Sequence, residues 1–240
     1  MGKKVDITKL SSRRKRHKRE VVKKPPCRIL IVSEGTKTEP NYFEEFELAK
    51  NKYFVYECVC DGSGDNTINV VDIAIERKEK AERTAVPYDS VWAVFDRDSF
   101  PKERFNSAIE KAKANGINAA WSNEAFELWY LYHFCNRVSS MSRSDYQDAI
   151  TRAVRASGKY MKKKPYKYKK NATDNYRIMT LCGSVESAIK WAEKKHAEYE
   201  GRTDYANHNP CTLVYKLVKQ LMNRDEDLIA SVMDRINGGK

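Results

Sequence analysis

Apolar positions along this chain change their period several times, and each change marks an element. Arg28-Ile-Leu-Ile-Val-Ser33 is a short continuous apolar run, the pattern of a strand buried on both faces of a parallel sheet. Glu34-Gly35 follows directly. Thr38 as N-cap and Pro40 in the first turn then open a predicted helix that carries Tyr42, Phe43, Phe46 and Leu48. Tyr53 to Cys60 alternates as a second strand and ends in Asp61-Gly-Ser-Gly-Asp65, a turn placed to cap a helix from about Thr67 to Arg83. Asp89 to Phe95 reads as the third strand, with Asp96-Arg97-Asp98 at its carboxyl end. Lys102 to Asn115 has helical spacing and stops at Gly116, Ile117 to Ser122 returns as a strand, and Asn123 opens an apolar helix through Phe134.

This alternation predicts an α/β fold, a mostly parallel sheet flanked by helices and joined by right-handed crossovers. From about residue 137 the pattern turns helical only, over roughly 142–157, 174–200 and 210–222. The expected organisation is a basic arm over 1–26, an α/β core over 27–136, and a helical C-terminal region over 137–240.

Charge narrows the partners. The 240 residues hold 45 Lys and Arg against 33 Asp and Glu, a formal net charge of +12, which draws polyanions without regard to sequence. The arm contains Arg13-Arg14-Lys15-Arg16-His17-Lys18-Arg19 and closes on Pro25-Pro26. It is too polar to bury a core, so it is expected to be flexible, either as a solvated tail or as a grip on nucleic acid. No long apolar span stands out, which favours nucleic acid, RNA and DNA alike, over a membrane surface. Met1-Gly2-Lys3-Lys4 has no apolar core behind it, so a cytoplasmic protein is expected. Six cysteines without a C-x-x-C pair read as buried free thiols.

Against that basic background the acids stand out. In open α/β sheets the ligand crevice lies beyond the carboxyl ends of the strands. Glu34 follows the first strand and Asp96 and Asp98 the third, so the three converge if those strands are neighbours. An extended D-x-D points both Asp side chains one way and Arg97 the other. Oxygen donors of this kind suit Mg²⁺ or Mn²⁺. Each motif also has a plain structural explanation, as a helix cap or a turn, and Glu39 is accounted for by the helix dipole. A third cluster places Glu124 and Glu127 three apart on the predicted helix. Glu127, set among Phe126, Leu128 and Trp129, needs a partner and is the fourth candidate catalytic residue.

Other features carry less. His133 points to another side of its helix and reads as packed. Gly35-Thr36-Lys37-Thr38 lacks the spacing of a phosphate loop, which removes that route to NTP binding. Lys159 to Lys170 combines seven lysines with three tyrosines, a composition that suits backbone neutralisation with base stacking on Tyr160, Tyr166 and Tyr168, and equally a solvated loop. The candidate nucleic-acid contacts are therefore Lys37, Arg97, Lys162, Lys163, Lys164, Tyr166, Lys167 and Tyr168.

The segments Ile29 to Phe43, Val94 to Asp98, Ser122 to Trp129 and Tyr132-His-Phe134, with Asn209-Pro210-Cys-Thr212 and Val214, Leu217, Val218 and Leu221, resemble the RloB-like family over about residues 28–222. The resemblance implies a Toprim-like domain, the metal-binding α/β fold of topoisomerases, primases and certain nucleases. That fold places a Glu after its first strand and a D-x-D after a later one, here Glu34, Asp96 and Asp98. It further implies a setting in restriction loci and phage defence, often beside an ATPase gene, among relatives that look like RNA-cutting effectors. Two departures are Glu124, where a proline or small residue is expected, and the basic arm. The expected function is Mg²⁺- or Mn²⁺-dependent hydrolysis of RNA, tRNA included, in abortive infection, with a possible ATPase partner. The rivals are a DNA nuclease of the same fold, a non-catalytic nucleic-acid- or partner-binding module, and primase-type strand synthesis.

Overall fold

The computed structural model describes residues 27–50, 54–60, 67–84, 87–98, 101–222 and 224–237, without the side chains of 45–50, 54–60 and 236–237. The basic arm and the turn at 61–65 lie outside the described residues. Strands β1 (Cys27–Ser33), β2 (Phe54–Cys60), β3 (Ser90–Asp96), β4 (Asn118–Asn123) and β5 (Cys211–Thr212) form one sheet in the order β2-β1-β3-β4-β5. The first four run parallel, as the alternation of elements requires, while β5 pairs antiparallel with the end of β4 through Ser122 with Thr212 and Asn123 with Cys211. Two residues are too short to show a strand period, which is why the sequence reading took this region as helix only.

Strand side chains alternate between two cores. Leu30 and Val32 of β1 and Val91, Ala93 and Phe95 of β3 face α2 (Thr67–Arg83) and α3 (Lys102–Ala114). Ile29 and Ile31, with Trp92 and Val94, face the other way, onto α1 (Thr38–Lys50) and the helices that follow β4. Those are α4 (Glu127–Tyr132), α5 (Arg143–Ala156), α6 (Asn175–Cys182), α7 (Val185–Ala197), α8 (Val214–Leu221) and α9 (Glu226–Asn237). The C-terminal region thus shares a core with the sheet and supplies one of its strands. Tyr42, on α1, sits edge-on to Phe43, Phe126, Trp129 and Tyr176, so its ring joins α1, α4 and α6.

Three local expectations change. Thr38 lies within the helix, and its hydroxyl donates to the Lys170 carbonyl at 3.2 Å instead of capping. Asn123 ends β4, and the helix predicted to start there begins at Glu127, so Glu124 and Glu127 do not share a helix face. Cys27, Cys182 and Cys211 are buried free thiols as expected, but Cys135 is exposed.

The helix expected over 174–200 is two helices, α6 and α7, parted at Gly183-Ser184. Ser184 accepts a hydrogen bond from the Ser187 amide as N-cap of α7, and its own amide donates to the His133 carbonyl at 2.9 Å. A Cβ on Gly183 would stand 2.7 Å from the His133 carbonyl oxygen and 2.8 Å from the His133 Cβ. Gly183→Ala is therefore expected to cost about 1–3 kcal/mol, as overpacking does. An unchanged midpoint in urea unfolding would show that the His133 turn yields freely.

Candidate metal and phosphate site

The acids converge because β1 and β3 are paired. Ser33 is in register with Val94, and the Glu34 amide extends the ladder by donating to the Val94 carbonyl at 3.0 Å. Glu34 therefore leaves β1 beside the end of β3, where its carboxylate feels the Asp96 amide. Past Asp96 the backbone stays tied to β4, with Arg97 N–H donating to the Ser122 carbonyl at 2.9 Å and Asp98 N–H to the Glu124 carbonyl at 3.2 Å. Asp98 has a φ of 44°, in the left-handed region that Asp tolerates better than most residues. The D-x-D is thus a strand end and a turn, and this bend replaces the extended alternation expected for it. Both carboxylates still meet one group, the guanidinium of Arg143, which gives Nη1 to Asp98 Oδ2 at 3.0 Å and Nη2 to Asp96 Oδ2 at 3.4 Å.

A cleft of about 460 Å³ opens over this group and is lined by Glu34, Gly35, Lys37, Glu39, Asp96, Asp98, Arg143 and Lys170, among others. Arg143, Glu39 and Lys170 were not among the candidates. Glu39 has the sequence signal of an ordinary first-turn acid, yet it is buried. A Cβ on Gly35 would land on its carboxylate, so the glycine makes room for it. Arg143 comes from 45 residues beyond Asp98, and no local pattern connects the two. Arg97 does not line the cleft, makes no salt bridge with a described residue, and has its Nε buried without a hydrogen-bond partner.

Glu127 is fully buried and does not line the cleft. Its partner is the hydroxyl of Tyr168, which donates to Oε1 at 3.2 Å, while Oε2 has none. That contact corrects the role expected of the Lys/Tyr stretch. Tyr166 and Tyr168 point into the core, so neither offers a ring for base stacking, and Lys167 between them is exposed, as alternation in an extended segment requires. The segment is a strap, held by Arg155 Nε on the Tyr166 carbonyl at 2.7 Å, the Tyr168 amide on Thr151 Oγ1 at 3.0 Å, and Asn175 on the carbonyls of Lys169 and Lys170. It brings Lys170, whose carbonyl accepts from Thr38 Oγ1, into the cleft lining beside Lys37. Lys163 and Lys164 are exposed away from the cleft lining, as is Lys162, which pairs with Asp174 at 3.2 Å.

The electrostatics follow from gathering acids in a half-closed space. Burial raises the Glu34 carboxyl to about 7, the charges of Glu39 and Asp98 add to this, and the Asp96 amide and Arg143 oppose it. Asp96 is raised by burial and by Glu39 and Glu127, with Arg143 and the Phe126 amide pulling the other way. Glu39 is raised by burial as well. His133 is packed as expected, with Nδ1 3.0 Å from the Trp129 carbonyl oxygen, and burial lowers it to about 4.

The donor chemistry fits a hard divalent cation. All the acids of the cleft offer oxygen, and Glu39 Oε2 is buried without a hydrogen-bond partner among the described residues. Among the described residues, no three His, Cys, Asp or Glu side chains are grouped closely enough to hold a metal as they stand. The position between Asp96 and Asp98 is taken by Arg143.

Two outcomes follow. Tyr168→Phe removes the one hydrogen bond to a buried carboxylate and is expected to cost about 1–3 kcal/mol. Combined with Glu127→Gln, its effect in urea unfolding should be less than additive, and strict additivity would mean that the two groups do not interact. For pH, the folded protein keeps the Glu34 proton up to about 7 while the unfolded chain releases it near 4.5, so the native state binds more protons between those values. Stability of the metal-free protein should fall as pH rises through that window, and Glu34→Gln should flatten the slope of unfolding free energy measured in EDTA.

No curated protein and no solved structure matches this chain. The family model described as RloB-like protein matches residues 29–221, a span from β1 to the end of α8 that takes in the strand-end acids, Arg143 and the strap. The chain with this acidic cleft belongs to the RloB-like family.

Proposed function

We propose that the protein is a metal-dependent nuclease that hydrolyses phosphodiester bonds in RNA, with tRNA among its substrates, on a Toprim-like core. The observation that carries the reading is the meeting of Glu34, Glu39, Asp96 and Asp98 with Arg143, Lys37 and Lys170 in one cleft at the carboxyl edge of a parallel sheet. Acids alone would suit a cation, and bases alone would suit any polyanion. Their juxtaposition suits a phosphate bound beside a cation.

Glu34, Asp96 and Asp98 would hold Mg²⁺ or Mn²⁺, with Glu39 at their side. A bound cation of this type supplies charge for the scissile phosphate and a more acidic water. Lys37 and Lys170, which both line the cleft, neutralise the flanking phosphates. Glu127 and Tyr168 do not line the cleft but fix the strap that carries Lys170, so Glu127 acts by positioning. Lys163, Lys164 and Lys167 are exposed on the same strap and add to the basic surface open to a polyanion. The family resemblance supports a role in phage defence and an ATPase partner, and the polar N-terminal sequence supports a cytoplasmic location. No described helix is long and apolar enough to cross a membrane.

The test is cleavage of total tRNA, single-stranded RNA and duplex DNA with Mg²⁺ or Mn²⁺, alongside Glu34→Ala, Asp96→Ala and an EDTA control. RNA cutting is expected, reduced at least about a hundredfold in either variant and abolished by EDTA. Preferential cutting of the duplex would make it a DNA nuclease. RNA binding that persists in EDTA, without cleavage and unaffected by Asp96→Ala, would make it a binding module.

A further inference from the structure

We propose that Arg143 is a phosphate-binding residue of this cleft and that, before substrate arrives, its guanidinium stands between Asp96 and Asp98 in the place of the cation. Substrate then draws Arg143 away and admits the metal, so that nucleic acid and metal bind cooperatively. The proposal rests on the nuclease reading.

Four observations support it. The guanidinium gives one nitrogen to each of two carboxylates, Asp98 at 3.0 Å and Asp96 at 3.4 Å, so a single cationic group bridges both arms of the D-x-D. The side chain is 31% exposed and lines the cleft, so a ligand entering can reach it. Its Nε is buried without a hydrogen-bond partner among the described residues, which leaves part of the planar fork unused. A phosphodiester offers two oxygens to such a fork, and the carboxylates here use only its ends.

Arg143 is also the first residue of α5, where a cation opposes the helix dipole. The two acids hold it there, and an anion brought into the cleft would meet the same guanidinium. The backbone beneath it is anchored. Ser142 accepts from the Asp145 amide at 3.2 Å and the Asp145 carboxylate accepts from the Ser142 amide at 3.3 Å, a capping box. The side chain can therefore change partners without movement of α5.

Because linkage is reciprocal, the metal must raise nucleic-acid affinity by the factor by which nucleic acid raises metal affinity. The experiment is a titration of Mn²⁺, followed by its electron paramagnetic resonance, into the full chain with and without a short 2′-O-methyl oligoribonucleotide whose integrity is checked on a gel. Wild type should bind Mn²⁺ about five- to tenfold more tightly with the oligonucleotide present. Arg143→Met should bind Mn²⁺ alone about five- to tenfold more tightly than wild type and lose the coupling. Arg143→Lys keeps the charge without the fork, so it should still weaken Mn²⁺ binding while coupling poorly. Equal Mn²⁺ affinity in wild type and Arg143→Met, or a wild-type affinity indifferent to the oligonucleotide, would overturn the proposal and leave the nuclease reading intact. Failure of every form to bind Mn²⁺, with or without the oligonucleotide, would overturn both. If Arg143→Met does not fold, the wild-type linkage and Arg143→Lys decide.

Discussion

Glu34 N–H donates to the Val94 carbonyl, one rung beyond the paired strands β1 and β3. That rung converts a sheet into a site. Because the two strands are parallel neighbours, their carboxyl ends coincide, and acids 62 positions apart in the sequence, at Glu34 and Asp96, become adjacent. Every other member of the cleft is placed with reference to this edge. Arg143 reaches it from the start of α5, Glu39 from the first turn of α1, and Lys170 from the strap. A slip of one residue between β1 and β3 would turn each side chain of β1 to the other core and separate Glu34 from Asp96.

The protein as a whole is basic, yet its cleft concentrates negative charge, and the two scales do different work. The net charge of +12 acts at a distance on a polyanion. Within the cleft, burial and mutual repulsion push Glu34, Glu39 and Asp96 upward, and the arginine offsets only part of that. Such an arrangement is unfavourable for folding when considered alone and favourable for binding a cation, which is the usual physical mark of a functional site. Glu127 shows a different solution. It is withdrawn from the cleft and held by a tyrosine, and its charge is felt at Asp96 without being offered to a ligand from outside.

What could be read in the sequence was whatever depended on neighbours along the chain. The apolar run before Glu34 and the one before Asp96 identified two strands and the acids at their ends, and periodicity located α2, α3 and α5. What stayed hidden depended on contacts across the fold. Arg143 has no local signature, because an arginine at a helix start is unremarkable until two distant aspartates are brought to it. Glu39 was hidden by having an adequate local explanation. Tyr166 and Tyr168 misled through composition, since lysine next to tyrosine describes a nucleic-acid surface and also an extended segment with one wet face and one dry face. Only burial separates those cases. The break at Gly183 was obscured for a related reason: the backbone of His133 that demands it lies 50 positions away.

The strap's alternation has a further consequence. Tyr166 and Tyr168 are fastened inward and Lys167 faces out, so the segment behaves as a parity device. Exchanges at the outward positions alter the exposed surface and leave the core untouched, whereas inserting or deleting one residue between the tyrosines would exchange inside for outside. The molecule can thus vary its outer surface here by substitution, but it cannot change the length of this stretch in single steps without losing the tyrosine that steadies Glu127.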